Sequence, residues 1–114
     1  MTRLGIAKGA RPETLMGLSG LGDLTLTCTG RQSRNMSLGH DLGKGHTPKE
    51  ILNKRNSVTE GVFTATAVRL LAGRLRVDVP ICTAVDDVIN HNKDLDEVIA
   101  GLLARPFTSE GQQI

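Results

Sequence analysis

Apolar residues recur at helical spacing along the second half of the chain. Near its end, five of them lie at i, i+3, i+4, i+7 and i+8, which is one stripe of an α-helix: Leu95, Val98, Ile99, Leu102 and Leu103. Asp94 and Glu97 have the spacing of an N-terminal capping box at the start of this stripe. The pattern predicts a helix that Arg105 and Pro106 end.

A longer helix is predicted in the middle of the chain. Ser57 and Glu60 form a second capping box, and the helical pattern continues from there to Arg74. Four apolar residues are expected to form its buried stripe: Phe63, Ala67, Leu70 and Leu71. These positions define the face that should pack against the rest of the core.

Two shorter helices are predicted on either side of it. Pro80 suits the first turn of a helix, whose apolar face continues to an Asn-His-Asn turn. Thr47 and Glu50 form a third capping box with Pro48 at the first helical position, which predicts a short helix to Asn53. The helix that begins at Pro80 and the one capped by Asp94 follow each other across the Asn-His-Asn turn, so they should form a hairpin.

The first half of the chain is less regular. Residues 1–8 have the pattern of the tail of a helix, and Pro12 suits the start of a second one. Residues 17–35 contain three glycines early on and then lose any helical period, so a loop is expected there. A modest apolar side predicts another helix from Arg34 to Lys44. Because no sustained strand pattern occurs, the sequence predicts an all-α domain.

Composition narrows the class of protein. A chain of 114 residues is expected to form one domain. Its 14 Lys and Arg against 12 Asp and Glu give a formal charge of +2, which is too small to require nucleic acid or an anionic membrane as partner. The chain has no Trp or Tyr, and its two Phe residues offer no platform on which unpaired bases could stack. Binding of single-stranded nucleic acid is therefore disfavoured.

Individual residue patterns add further expectations. Cys28 and Cys82 are far apart in the sequence and are interpreted as reduced thiols. The spacing of His40 and His46 does not place two ligands on one helical face, so no metal site is expected. The absence of a signal-peptide or membrane-spanning pattern leads us to expect a cytoplasmic location and no membrane partner. Five acids near the last helices are expected to be solvated charges: Asp86, Asp87, Asp94, Asp96 and Glu97.

Groups that bind anions are concentrated between Gly17 and Asn35. If Ser33 caps the helix that begins at Arg34, the free N–H groups of its first turn lie beside a guanidinium, and both favour a phosphate or a carboxylate. Asp23 would instead accept hydrogen bonds from substrate hydroxyls or hold a cationic catalytic group. The alternative is structural, with Asp23 capping a turn and Arg34 simply solvated.

Four separated motifs give the chain a family resemblance. They are Gly17-Leu-Ser-Gly-Leu-Gly-Asp-Leu24, Thr27-Cys-Thr followed by Ser33-Arg34-Asn35, Val58-Thr-Glu60-Gly61, and Val79-Pro-Ile-Cys82. In this order they resemble the C-terminal domain of the bacterial NAD(P)-dependent glycerol-3-phosphate dehydrogenase family, over nearly the whole chain. The resemblance implies an all-α domain of the 6-phosphogluconate dehydrogenase C-terminal-like type over residues 1–106, followed by a loose tail over 107–114.

The resemblance also implies a substrate-binding role. In that family an N-terminal Rossmann domain binds NADH or NADPH, and the helical domain closes over sn-glycerol 3-phosphate or dihydroxyacetone phosphate, between which hydride is exchanged for glycerophospholipid synthesis. The implied substrate-binding residues are Asp23, Ser33, Arg34 and Asn35. The implied cofactor contacts are Arg34, Val58 and Glu60.

The same resemblance implies that these residues hold only part of the catalytic machinery. The family's Rossmann domain and its active-site lysines, including the general acid/base, lie upstream of the matching region. The full-length protein is expected to be an NAD- or NADP-dependent oxidoreductase, with a homodimer as one expectation, whereas the 114-residue chain alone is expected to be inactive. The alternative function is a small helical nucleic-acid-binding or interaction module, suggested by a pI near 8.8 and five basic positions: Arg31, Arg34, Lys44, Lys54 and Arg55.

Overall fold

Helices make up the regular structure of the protein. The computed structural model describes residues 1–30, 33–54 and 60–108. Its α-helices are α1 (Thr2–Ala7), α2 (Pro12–Met16), α3 (Asp23–Thr29), α4 (Arg34–Gly43), α5 (Pro48–Lys54), α6 (Glu60–Leu75), α7 (Pro80–Asn90) and α8 (Leu95–Leu103), with a π-helical turn at Leu18–Gly22. No strand occurs in these three ranges, which confirms the prediction of an all-α fold. None of their helices has the length and apolar character needed to cross a membrane.

One predicted capping box forms with both of its hydrogen bonds, at α5, and one of the two bonds of a second predicted box forms at α8. At α5, the N–H of Thr47 donates to Glu50 Oε2 at 2.8 Å, and the N–H of Glu50 donates to Thr47 Oγ1 at 3.3 Å. The bond from the Thr47 backbone lowers the pKa of Glu50 below its ordinary value. At α8, Asp94 Oδ1 accepts from the N–H of Glu97 at 3.0 Å. The box predicted at Ser57 and the tail residues 109–114 lie outside the described residues.

The core lies where α4, α5 and α6 meet. One buried residue from each helix forms a cluster, against which three partly buried residues pack: the cluster is Leu38, Ile51 and Val62, and the packed residues are Leu42, Leu52 and Ile89. α6 and α7 pack along their lengths, with small buried residues that include Ala65, Ala72 and Ala84. α7 also packs against α8, as the predicted hairpin requires. These contacts fix the start of α6 relative to α4.

The buried face of α6 differs from the predicted one. Phe63 is 70% exposed and Leu70 is 61% exposed, whereas the buried residues are Val62, Ala65 and Ala72. The predicted stripe is therefore wrong. α6 carries apolar residues on more than one face, so periodicity alone selects the larger side chains, while α7 packs against the smaller ones.

Residues 23–29 form helix α3 rather than the predicted loop. Three threonine hydroxyls donate to the backbone carbonyl four residues earlier, at 2.8 Å from Thr25, 2.9 Å from Thr27 and 2.8 Å from Thr29. These bonds satisfy the hydroxyl groups within helical geometry. Threonine has low helix propensity and the segment lacks an apolar stripe, so its sequence pattern does not indicate the helix.

A buried carboxylate joins α6 to α7. Asp86 is fully buried and accepts hydrogen bonds from Thr66 Oγ1 at 2.7 Å, Arg69 Nη1 at 3.1 Å and Asn90 Nδ2 at 2.8 Å. His91 Nε2 lies 3.2 Å from Asp86 Oδ2, the carboxylate oxygen that also accepts from Arg69. Burial alone would raise the pKa of Asp86, but these hydrogen bonds and the neighbouring histidine lower it to about 2. The expectation of a solvated charge is therefore wrong at this position.

Candidate functional site

The start of α4 carries three of the predicted site residues. Ser33 is the N-cap, and its Oγ accepts a hydrogen bond from the N–H of Met36 at 3.3 Å, which confirms the predicted cap. Arg34 and Asn35 are the first two residues of the helix, and both are exposed. The first-turn N–H groups of an α-helix lack partners within the helix and lie at the positive end of its dipole. The start of α4 is therefore suited to an anion.

The guanidinium of Arg34 is available for a ligand. The side chain is exposed, and within residues 1–30, 33–54 and 60–108 it has no ion-pair partner. Arg69, by contrast, is occupied by the carboxylates of Asp86 and Asp87 at 3.1 and 2.6 Å. A guanidinium without a carboxylate partner can donate two parallel hydrogen bonds to a phosphate or carboxylate ligand.

The start of α6 lies against the start of α4. A β-carbon built on Gly61 would lie 2.5 Å from Asn35 Oδ1, 3.1 Å from Cγ and 3.4 Å from Nδ2. The amide of Asn35 therefore occupies the space that a side chain at position 61 would take. Glu60, the neighbour of Gly61 in sequence, is exposed. The structure thus brings Ser33, Arg34 and Asn35 to the same end of the fold as the predicted cofactor contact Glu60.

Asp23 lies on a different element. It is exposed in the first turn of α3, directly after the π-helical turn, and its backbone carbonyl accepts the 2.9 Å bond from Thr27 Oγ1. The N–H of Ser33 donates to the carbonyl of Gly30 at 3.2 Å, which ties the end of α3 to the start of α4. In the part of the chain that the structure describes, no hydrogen bond or ion pair joins Asp23 to Arg34 or Asn35. Val58 lies outside the described residues.

A separate cavity lies beside α5. It has a volume of about 130 Å³ and is lined by five residues, none of them a predicted site residue: Asp41, His46, Glu50, Ile51 and Lys54. Its acids and histidine are not arranged as metal ligands, since no group of three or more His, Cys, Asp or Glu side chains among the described residues could hold a metal ion. The cavity is thus distinct from the site at the start of α4.

Gly61 is the site neighbour to which the sequence analysis assigned no role. It stands in one of the four quoted motifs and is the second residue of α6, although alanine favours a helix more than glycine does. That conflict between residue and helix is the signal the sequence offers. The contact with Asn35 has no such signal, because it joins two helices that pattern analysis treats separately.

Comparison with known proteins decides the family. The family model described as "NAD-dependent glycerol-3-phosphate dehydrogenase C-terminus" matches residues 1–100. The chain belongs to this family. Among curated relatives, the glycerol-3-phosphate dehydrogenase [NAD(P)+] of Parvibaculum lavamentivorans is 56% identical over 110 residues, which cover 96% of this chain and 33% of the relative. The protein of the same name from Rhodospirillum rubrum is 54% identical over 111 residues, covering 97% and 32%.

A solved structure agrees with the sequence relatives. The crystal structure of glycerol-3-phosphate dehydrogenase from Coxiella burnetii matches with a TM-score of 0.83 and 37% identity, covering 90% of this chain and 32% of that one. The chain therefore spans about a third of the length of the relatives it matches. The resemblance stated from the motifs is confirmed, and the alternative of a nucleic-acid-binding module has no support from these comparisons.

Proposed function

We propose that residues 1–106 form the substrate-binding domain of an NAD(P)-dependent glycerol-3-phosphate dehydrogenase, with 107–114 as its tail. The proposed reaction interconverts dihydroxyacetone phosphate and sn-glycerol 3-phosphate. The observation that carries the proposal is the meeting of two helix starts, where Asn35 on α4 contacts Gly61 on α6 beside Arg34, which has no ion-pair partner among the described residues. Family membership and the names of the relatives support this choice of substrate.

The phosphate group of the substrate is assigned to the start of α4. A phosphate carries up to two negative charges and accepts hydrogen bonds through three oxygens. Arg34 would provide a bidentate charge-assisted contact, and the first-turn N–H groups would provide further donors. Ser33 and Asn35 would complete the set with a hydroxyl and an amide, both of which bond phosphate or hydroxyl oxygens.

The hydroxyl end of the substrate is assigned to Asp23. An ionised carboxylate accepts hydrogen bonds and cannot serve the phosphate itself. Asp23 is exposed, and the described residues provide no ion-pair partner that would compete with a substrate hydroxyl. This division places the anion at Arg34 and the neutral end of the substrate towards α3.

The cofactor of the full enzyme is proposed to be NAD or NADP, bound mainly by a Rossmann domain. When bound, its reduced nicotinamide supplies the hydride that the ketone accepts. From this chain, Arg34 and Glu60 would contact the cofactor, and Val58 is predicted as a third contact. A carboxylate accepts hydrogen bonds from ribose hydroxyls, and the carboxylate of Glu60 is exposed next to Gly61. The guanidinium of Arg34 as donor and the carboxylate of Glu60 as acceptor therefore fit contacts with the cofactor. Cofactor and substrate would thus meet at the start of α6.

The proposal also covers location and assembly. Cys28 and Cys82 are free thiols, which supports a cytoplasmic location for an enzyme of glycerophospholipid synthesis. A homodimer stays a prediction, and the contacts proposed above for the helical domain all come from one chain. Sedimentation equilibrium of the purified protein measures that assembly state directly.

A hybrid enzyme tests the proposed function. In this hybrid, the chain replaces the matching 110 residues of the Parvibaculum lavamentivorans dehydrogenase, and NADPH oxidation is followed with dihydroxyacetone phosphate. We expect turnover by the hybrid and none by the 114-residue chain alone, because the resemblance places the dinucleotide-binding turn and the general acid/base upstream of the residues that match this chain. A folded hybrid that binds NADPH but does not reduce dihydroxyacetone phosphate would contradict the proposal.

A further inference from the structure

Gly61 borders the amide that the proposed function places on the substrate. We propose that Gly61 is a positioning residue: because it has no side chain, the Asn35 amide can lie between the starts of α4 and α6, where it meets the substrate phosphate or hydroxyl. The inference rests on the proposed function, since it requires Asn35 to bind substrate. It adds a residue outside the predicted substrate and cofactor contacts.

The space at Gly61 is filled by Asn35. The three atoms nearest to a β-carbon built on Gly61 all belong to the Asn35 side chain, with Oδ1 at 2.5 Å. Ordinary van der Waals contacts of a β-carbon begin at 3.4 Å and Oδ1 lies at 2.5 Å, so a methyl group would displace the amide oxygen by about 1 Å. The backbone of neighbouring elements is not among these atoms. The Asn35 amide is therefore the first group that a side chain at position 61 would move.

Backbone conformation does not account for the glycine. Among the described residues, the glycines with positive φ are Gly9 and Gly45, so Gly61 lies in a conformation that alanine adopts readily. Alanine also favours a helix more than glycine does. Gly73 lies in the same helix and has no atom within 4 Å of its built β-carbon. The two positions therefore differ in the contact with Asn35, and Gly73 is the matched control.

A displacement of this size matters for a hydrogen-bonding group. Hydrogen bonds weaken steeply as distance and angle leave their normal range, and a misplacement of about 1 Å in a binding group can lower activity by up to a hundredfold. A misplaced amide should act on substrate affinity, and therefore on KM more than on kcat. A general defect of the helix start would change thermal stability and both kinetic constants.

Four variants of the hybrid enzyme test the inference: Gly61→Ala, Gly73→Ala, Asn35→Ala and the double variant of Gly61→Ala with Asn35→Ala. We expect Gly61→Ala to raise KM for dihydroxyacetone phosphate by about tenfold or more, as Asn35→Ala does. Gly73→Ala should leave KM unchanged. The double variant should be no worse than Asn35→Ala alone, because the methyl group then has no amide to displace.

A spectroscopic readout on the 114-residue chain accompanies the kinetics. In ¹⁵N–¹H spectra, Gly61→Ala should shift the side-chain NH₂ signals of Asn35, and Gly73→Ala should not. If Gly61→Ala loses its helical circular dichroism, the double variant is measured in the same way. Failure of the double variant to recover the helical signal would overturn the inference.

An unchanged KM in Gly61→Ala, or KM effects that multiply in the double variant, would overturn the inference while leaving the proposed function intact. An unchanged KM in Asn35→Ala would instead overturn the assigned role of Asn35, and the inference with it.

Discussion

The carboxylate of Asp86 provides a stabilising contact whose size can be worked out. Hydrogen bonds from Thr66, Asn90 and Arg69 outweigh the effect of burial and hold the pKa of Asp86 at about 2, against 3.8 for an ordinary aspartate. One pKa unit corresponds to about 1.4 kcal/mol, so ionised Asp86 should stabilise the folded chain by about 2 kcal/mol. Because the folded pKa is the lower one, this stability is present above about pH 4 and is lost as the pH falls towards 2.

The substitution Asp86→Asn tests this reasoning, because it removes the charge and nearly preserves the shape. Urea unfolding of the 114-residue chain, followed by circular dichroism, should show a free energy of unfolding about 2 kcal/mol lower than wild type at pH 7. The difference should shrink as the pH falls from 4 towards 2, because the carboxyl of the unfolded wild-type chain binds a proton near pH 4 and that of the folded chain only near pH 2. The control is Asp96→Asn, at an exposed acid of α8, for which we expect a change of about 0.3 kcal/mol. A loss that is equally large at pH 2 and pH 7 would refute the role of the charge.

Three further predictions concern the site and the caps. In the hybrid enzyme, Arg34→Ala should lower kcat/KM by about a hundredfold, because about 2 to 4 kcal/mol of charge-assisted contact is lost. The control Arg74→Ala lies about 20 Å along α6 from Gly61 and should leave kcat/KM unchanged. Equal effects of the two substitutions would contradict the phosphate role of Arg34. Asp23→Asn should lower kcat/KM for dihydroxyacetone phosphate by about tenfold and leave inhibition by inorganic phosphate unchanged, so that weaker phosphate inhibition would count against the assigned division of the substrate. Asp94→Ala should reduce the free energy of unfolding by about 1 kcal/mol through loss of the α8 cap, and an unchanged urea midpoint would exclude that contribution.

Helix starts with a side-chain cap were the most predictable part of the fold. The capping bonds at Thr47 with Glu50, at Asp94 with Glu97 and at Ser33 all occur in the structure. Each depends on residues within one turn of each other, so the sequence contains the complete interaction. The predicted phosphate-binding residues at the start of α4 follow from the same local signal.

Features that depend on contacts between helices were not predictable in this way. The burial of Asp86 requires Thr66 and Arg69, which belong to α6, and pattern analysis of α7 alone places an acid in solvent. The face of α6 that packs is decided by α7 and by the α4 and α5 core. The contact between Asn35 and Gly61 likewise joins α4 to α6. Recognition of four motifs in order identified the family, but it assigned no role to Gly61.

Binding of glycerol 3-phosphate to the 114-residue chain tests the central claim most directly, because it asks whether a phosphate binds where α4 begins. We expect ¹⁵N–¹H spectra to show saturable shifts centred on the amides of Arg34, Asn35 and Gly61. Arg34→Ala should raise the dissociation constant by about thirtyfold or more, because at least about 2 kcal/mol of binding free energy is lost. Arg74→Ala should leave the dissociation constant unchanged. Saturable binding whose shifts lie elsewhere, or that persists undiminished in Arg34→Ala, would contradict the account.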